Sequence, residues 1–187
     1  MCVTSFTYLC LKKNYILLII IGILIISCKS PTYQKTEADV ARVVFEAVKQ
    51  NDYDLFKENI ASHHDLKELW IKFVEQSKSE GFEKLKEGFQ VSSYLENYDR
   101  VYPAFIKVTK KLFREAISDA KKSGIIVSEL NYESFEVKNL PYQKVINIVV
   151  SHKDKKYVFE TKFYELNNYM VSQGEIEWSG QYIELIE

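Results

Sequence analysis

Cysteine is confined to Cys2, Cys10 and Cys28, so a chain cut before Cys28 keeps a single sulfur. One thiol builds neither a disulfide framework nor a cysteine-rich zinc site. Glycine and proline are also scarce, six and three in 187 residues. That leaves little room for flexible linkers and points to a chain folded over most of its length. An excess of one charge is lacking too, since 25 basic side chains face 26 acidic ones. The first 27 residues hold Lys12 and Lys13 and no acid, so from Cys28 onward 23 basic residues stand against 26 acidic. A slightly acidic protein has no overall field with which to gather nucleic acid, and nucleic-acid binding is disfavoured. Nucleotide chemistry is not indicated either, because no glycine-rich phosphate loop, nucleophile elbow or Walker sequence occurs.

One long hydrophobic run is present, the eleven residues from Ile16 to Ile26, behind Lys12 and Lys13 and ahead of Ser27 and Cys28. Basic residues, a short apolar stretch and a small residue are the order of a secretory signal. Crossing a bilayer takes about 20 apolar residues, so permanent spanning is the weaker reading. The ending Ile25-Ile26-Ser27-Cys28 resembles the bacterial lipobox. That resemblance implies that the Cys28 thiol receives a diacylglycerol, that cleavage precedes it, and that the new amino terminus is often acylated as well. Two or three acyl chains hold a protein stably, since each buried CH₂ contributes about 0.8 kcal/mol. The lipid bilayer is then a partner through acylated Cys28, and the cell envelope is the compartment. In that family an Asp directly after the cysteine goes with inner-membrane retention, and Lys29 in that place leans towards the outer membrane of a Gram-negative cell. The competing reading is an uncleaved signal anchor with an incidental cysteine. Residues 28–35 form a short lipidated tether, and residues 36–187 a single domain.

Within that domain Val40, Val43, Val44, Ala47 and Val48 repeat at helical spacing, with Thr36 and Asp39 as a capping pair. Asn51-Asp52 interrupts, and Leu55, Phe56 and Ile60 resume. Asp65 reads as the cap of a helix carrying Leu66, Leu69, Trp70, Phe73 and Val74, with Glu68 completing the cap. Gly81 to Gln90 suits a short helix through Phe82, Leu85 and Phe89, weakened by Gly81 and Gly88. The longest helical pattern runs from about Pro103 to Ser123 and stops at Gly124.

After Gly124 β-branched and aromatic residues take over. Leu130, Tyr132, Phe135 and Val137 change parity at Ser134, which predicts a bulge or a bend. Val145 to Val150 is apolar enough to be covered on both faces. Tyr157, Phe159, Thr161 and Phe163 alternate with Val158, Glu160, Lys162 and Tyr164, and Met170 to Trp178 alternate likewise after the turn Asn167-Asn168. A last alternation through Tyr182 and Glu184 adds an edge strand or a tail. The fold class is α+β: N-terminal helices, one of them long, packed on a C-terminal antiparallel sheet of about four strands.

This order of elements, with the phrase Phe45-Glu46-Ala47-Val48-Lys49-Gln50-Asn51-Asp52-Tyr53, resembles the NTF2-like or cystatin-like superfamily. The resemblance implies a curved sheet wrapping a long helix as a cone, in which enzymes of that superfamily set a desolvated Asp or His.

Three clusters invite chemistry. His63, His64 and Asp65 could bind zinc with His152, but adjacent residues seldom share one tetrahedral metal, so Asp65 is better explained as a cap and no metal or cofactor is expected. The inward positions of the strands offer only Thr161 and Ser172 as polar groups and no acid–base pair. Tyr94, Tyr98 and Tyr102, four apart, form an exposed cluster that suits a ligand or partner surface. The reading is a non-catalytic envelope lipoprotein whose domain binds a protein partner or an apolar ligand. Its alternatives are an enzyme with one buried acid or base in an apolar cone, and a structural subunit of an envelope complex.

Overall fold

A computed structural model describes residues 33–79 and 91–182, all within one compact unit that begins at Tyr33. The signal segment, Cys28, the helix expected over Gly81 to Gln90 and the tail beyond Tyr182 lie outside the described residues. None of the described helices is long and apolar enough to cross a membrane.

Helix α1 (Glu37–Gln50) starts where Thr36 and Asp39 cap each other. The Asp39 amide donates to the Thr36 hydroxyl at 3.2 Å, and that hydroxyl donates to the Asp39 carboxylate at 2.6 Å. Asn51, in the left-handed conformation that Asn tolerates, ends the helix. Asp52 then accepts from the Asp54 and Leu55 amides and opens the one-turn helix α2 (Tyr53–Lys57).

Helix α3 (His63–Ser79) begins earlier than a cap at Asp65 requires. Ser62 is the capping residue: its hydroxyl accepts from the Asp65 amide at 3.2 Å and donates to the Asp65 carboxylate at 2.5 Å. Glu68 is drawn instead to Lys72, 3.0 Å away. The choice between two capable residues is settled by Tyr33, whose hydroxyl accepts from the Ser62 amide and donates to Asp65.

Residues 91–96 are helical, and α4 (Tyr98–Lys122) follows, starting five residues before Pro103. At 1.5 Å per residue α4 is about 37 Å long. After a 3₁₀ turn (Val127–Glu129) come β1 (Asn131–Asn139), β2 (Lys144–His152), β3 (Lys155–Leu166) and β4 (Tyr169–Gln181), paired in sequence order as an antiparallel meander. The bulge foreseen at Ser134 lies between Tyr132 and Ser134. Positive φ at Lys153, Asn167 and Asn168 closes the two tight turns.

β4 carries a larger irregularity. Thr161 pairs with Ile176 and Phe163 with Ser172, so β4 supplies two residues more than β3 over that span. Side chains replace the lost ladder bonds: the Thr161 hydroxyl donates to the Glu175 carbonyl at 2.7 Å, and the Ser172 hydroxyl donates to the Lys162 carbonyl and accepts from the Gly174 amide. Gly174 has φ +78°, and a Cβ on it would lie 2.6 Å from Cβ of Thr109 on α4 and collide with the Thr109 methyl. Glycine lets the long helix lie directly on the strand.

The main core fills the space between α1, the C-terminal half of α4 and one face of the sheet. Val40, Val44 and Val48 meet Phe113, Ile117, Ile146, Ile148, Phe159 and Ile176, all essentially solvent-free. Between this half of α4 and the sheet the space is filled by side chains.

Candidate functional site

A second, smaller cluster joins Leu66 and Leu69 of α3, Tyr98 of α4, and Leu166 and Val171 of the β3–β4 hairpin. Its buried members are mostly aliphatic, and the half-buried Tyr33, Trp70, Tyr102 and Phe105 pack around them. The buried Tyr98 donates to the His63 carbonyl at 2.6 Å, and Tyr102 donates to the Ala61 carbonyl at 3.4 Å. Burial pushes both phenols above their ordinary pKa, with the Tyr102 phenol adding to the shift of Tyr98. The expected exposed cluster is thus corrected: Tyr98 is 2% exposed, Tyr102 is half-buried, and Tyr94 alone is open, at 51%. Residues 98 and 102 lie one turn apart at the start of α4, and their rings cover the first turn of α3 and bracket the His63 ring at 4.6 and 4.9 Å.

Beside this cluster, at the end of the sheet that holds the β1–β2 turn, a groove of about 1010 Å³ opens. That is the upper end of the range for sites taking drug-sized ligands. One wall is α3, through Leu69, Trp70 and Phe73; a second is α4, through Val101, Ala104, Phe105 and Val108; the third is the turn around Tyr142 with Tyr164 of β3. Trp70 meets Phe105 edge-on at 6.5 Å, and Phe73 meets Tyr142 at 6.1 Å. The walls are mainly apolar, and Tyr94 and Val108 leave exposed apolar surface at the mouth.

Polar groups sit at the margins. The Tyr164 hydroxyl donates to the Gln143 side-chain oxygen at 2.8 Å, and burial pushes its phenol up to about 12. Lys144 bonds Glu37 at 2.5 Å and stands 3.7 Å from Glu165. Among the described lining residues Glu165 is the one carboxylate, largely exposed, and none is a histidine. The other singled-out residues lie elsewhere. His63 pairs with Asp99 at 3.0 Å and His152 with Glu129 at 3.4 Å, and among the described residues no three His, Cys, Asp or Glu converge as metal ligands would. Thr161 and Ser172 are spent on the β4 bulge.

The sequence reading placed Trp70 and Phe73 on an ordinary helix stripe, did not single out Phe105, and missed the groove. One signal was there: α4 carries two apolar stripes, Val101, Ala104, Phe105 and Val108 on one side and Thr109, Phe113, Ala116 and Ala120 on another, more than one core needs. No protein-family model, curated protein or solved structure matches the chain.

Proposed function

We propose that the chain is an envelope lipoprotein, held to the membrane by acyl chains on Cys28, whose domain binds an elongated apolar ligand in the groove between α3, α4 and the β1–β2 turn. The observation that carries the ligand reading is the groove itself, about 1010 Å³ walled by Leu69, Trp70, Phe73, Phe105 and Val108. Folding normally closes apolar walls on one another, and an open apolar groove of this size marks a place where something else supplies the contact.

The walls favour binding over chemistry. The Tyr164 phenol, at about 12, stays protonated at neutral pH and donates to Gln143. Glu165 is exposed and beside Lys144, whereas a general base needs a pKa near the working pH. Burial of Tyr98 also leaves less open aromatic surface for a protein partner around residues 94–102.

Palmitate titrated against the chain while tryptophan fluorescence is followed tests the ligand reading, since Trp70 lines the groove and Trp178, the other tryptophan, does not. Saturable quenching is expected, with affinity about tenfold weaker in Ala104→Phe, which fills the groove from an exposed helix position. No saturation, or equal affinity in the variant, overturns it. Incorporation of labelled palmitate into the cellular protein, lost in Cys28→Ala, tests the anchor separately.

A further inference from the structure

We infer that the outward side of α4 docks flat on an anionic lipid surface. α4 holds seven of the 23 basic residues found from Cys28 onward but three of the 26 acidic ones, so an otherwise acidic protein concentrates positive charge on one helix. The placement along the helix is orderly. Thr109, Phe113, Ala116 and Ala120 are buried against the body, and Lys107, Lys111, Arg114 and Ser118 repeat the same spacing two residues earlier, which sets them about 200° round the helix. Those four are exposed and border one shallow depression with Lys110 and Glu115. Glu115 stands 3.6 Å from Lys111, and Lys110 lies over the Tyr53 ring at 5.3 Å. Lys107 and Arg114 have no ion-pair partner among the described residues.

A membrane, rather than an acidic protein, is the occupant the chain itself specifies. The deduction rests on the anchored reading for where the bilayer lies. Tyr33 follows Cys28 by five residues, at most about 18 Å of extended chain, so some face of the domain is held within a few screening lengths of the headgroups. Tyr33 is bonded to Ser62, and Ala61 and His63 on either side of Ser62 accept from Tyr102 and Tyr98 at the start of α4. The tether therefore joins the domain near one end of the basic stripe, which suits α4 lying along the surface. Each Lys or Arg brought close to an anionic bilayer contributes about 1 kcal/mol. Val108, on the boundary between stripe and groove, would then bring the groove mouth near the lipid.

The test uses the chain from residue 28 with Cys28→Ser, so no lipid is attached and a failed anchor does not affect the result. Sedimentation with vesicles of phosphatidylcholine, alone or mixed with phosphatidylglycerol, is compared at low and high salt. Binding is expected only with phosphatidylglycerol, weakening as salt rises. Lys107→Gln, Lys111→Gln and Arg114→Gln together should weaken it about 100-fold. The same charge change at exposed Lys153, Lys155 and Lys156 should alter it less than about threefold, with unchanged circular dichroism in both. Equal loss in the two triple variants, equal binding to both kinds of vesicle, or no binding overturns the inference. Binding to polyglutamate but not to vesicles also overturns it, and gives the face to an acidic protein.

Discussion

The two ends of α4 belong to different kinds of interior. Around its C-terminal half, Phe113, Ala116, Ile117 and Ala120 enter a core of Val, Ile and Phe edged by Tyr53, Tyr132, Tyr157 and Trp178. Around its N-terminal half, Tyr98, Tyr102 and Phe105 join Trp70 and Tyr33 in a cluster whose rings also carry hydrogen bonds to backbone. The first interior gains stability from removing apolar area from water and tolerates no gap. The second holds its parts by a mixture of area and directional bonds, and it is the one that leaves a groove beside it.

Phe113→Ala breaks the comparison where its effect should be largest. Phe113 is 1% exposed, stacks on Phe56 at 5.0 Å and meets Tyr53 at 5.8 Å. Removing the ring leaves a cavity at the centre of the main core and should cost about 4 kcal/mol in urea unfolding. Palmitate affinity of the molecules that remain folded should stay within about threefold of the parent, because Phe113 does not line the groove and only Phe105 of its walls packs against both clusters. If affinity falls in step with stability, the two interiors act as one.

Tyr98→Phe is the milder counterpart. It keeps the ring and removes the hydroxyl that donates to the His63 carbonyl, for an expected loss of about 1 kcal/mol. The bond ties α4 to the start of α3, so the groove wall built by Trp70 and Phe73 loses a support, and palmitate should bind measurably more weakly. Unchanged affinity with reduced stability would show that this bond secures the helix without shaping the groove.

Much of the main core was legible because its periods are clean. The valine stripe of α1 with its Thr36 cap, the parity change at Ser134 and the Asn167-Asn168 turn each depend on residues close in the chain. The extra length of β4 escaped notice for a physical reason. Two additional residues restore the original parity, so the alternation from Met170 to Trp178 reads the same with or without the bulge. The second region was harder, because distant residues decide it. Ser62 and Asp65 are both good caps, and Tyr33, 29 residues before Ser62, chooses between them. Pro103 suits a first turn, yet α4 starts at Tyr98, whose ring finds its burial against α3. The groove takes its walls from α3, α4, the β1–β2 turn and β3, and no single stretch of sequence carries its outline.

One ion pair joins the two regions, and its pH dependence gives the smallest of the expected effects. Lys144, at the rim of the groove, bonds Glu37 in the first turn of α1. The hydrogen bond from Lys144 holds the Glu37 carboxyl below its usual pKa, and the same bond raises that of Lys144. A carboxylate depressed in the folded state stabilises it above the unfolded value of 4.5, and that stability is lost as pH falls through the folded value. A lysine raised in the folded state stabilises it fully below 10.5, and that is lost as pH rises through its folded value. The pair is therefore worth most between about pH 5 and about pH 10, and with both side chains about a third exposed it contributes less than about 1 kcal/mol. Glu37→Gln should lower the urea midpoint slightly at neutral pH and match the parent once the medium is acidic enough to protonate Glu37. Lys144→Met should show a smaller neutral deficit that closes over the same acid range, because Glu37 keeps its favourable place at the positive end of α1. A Glu37→Gln deficit that persists in acid would assign the effect to packing of the amide instead of charge, and would remove the electrostatic link between the main core and the groove.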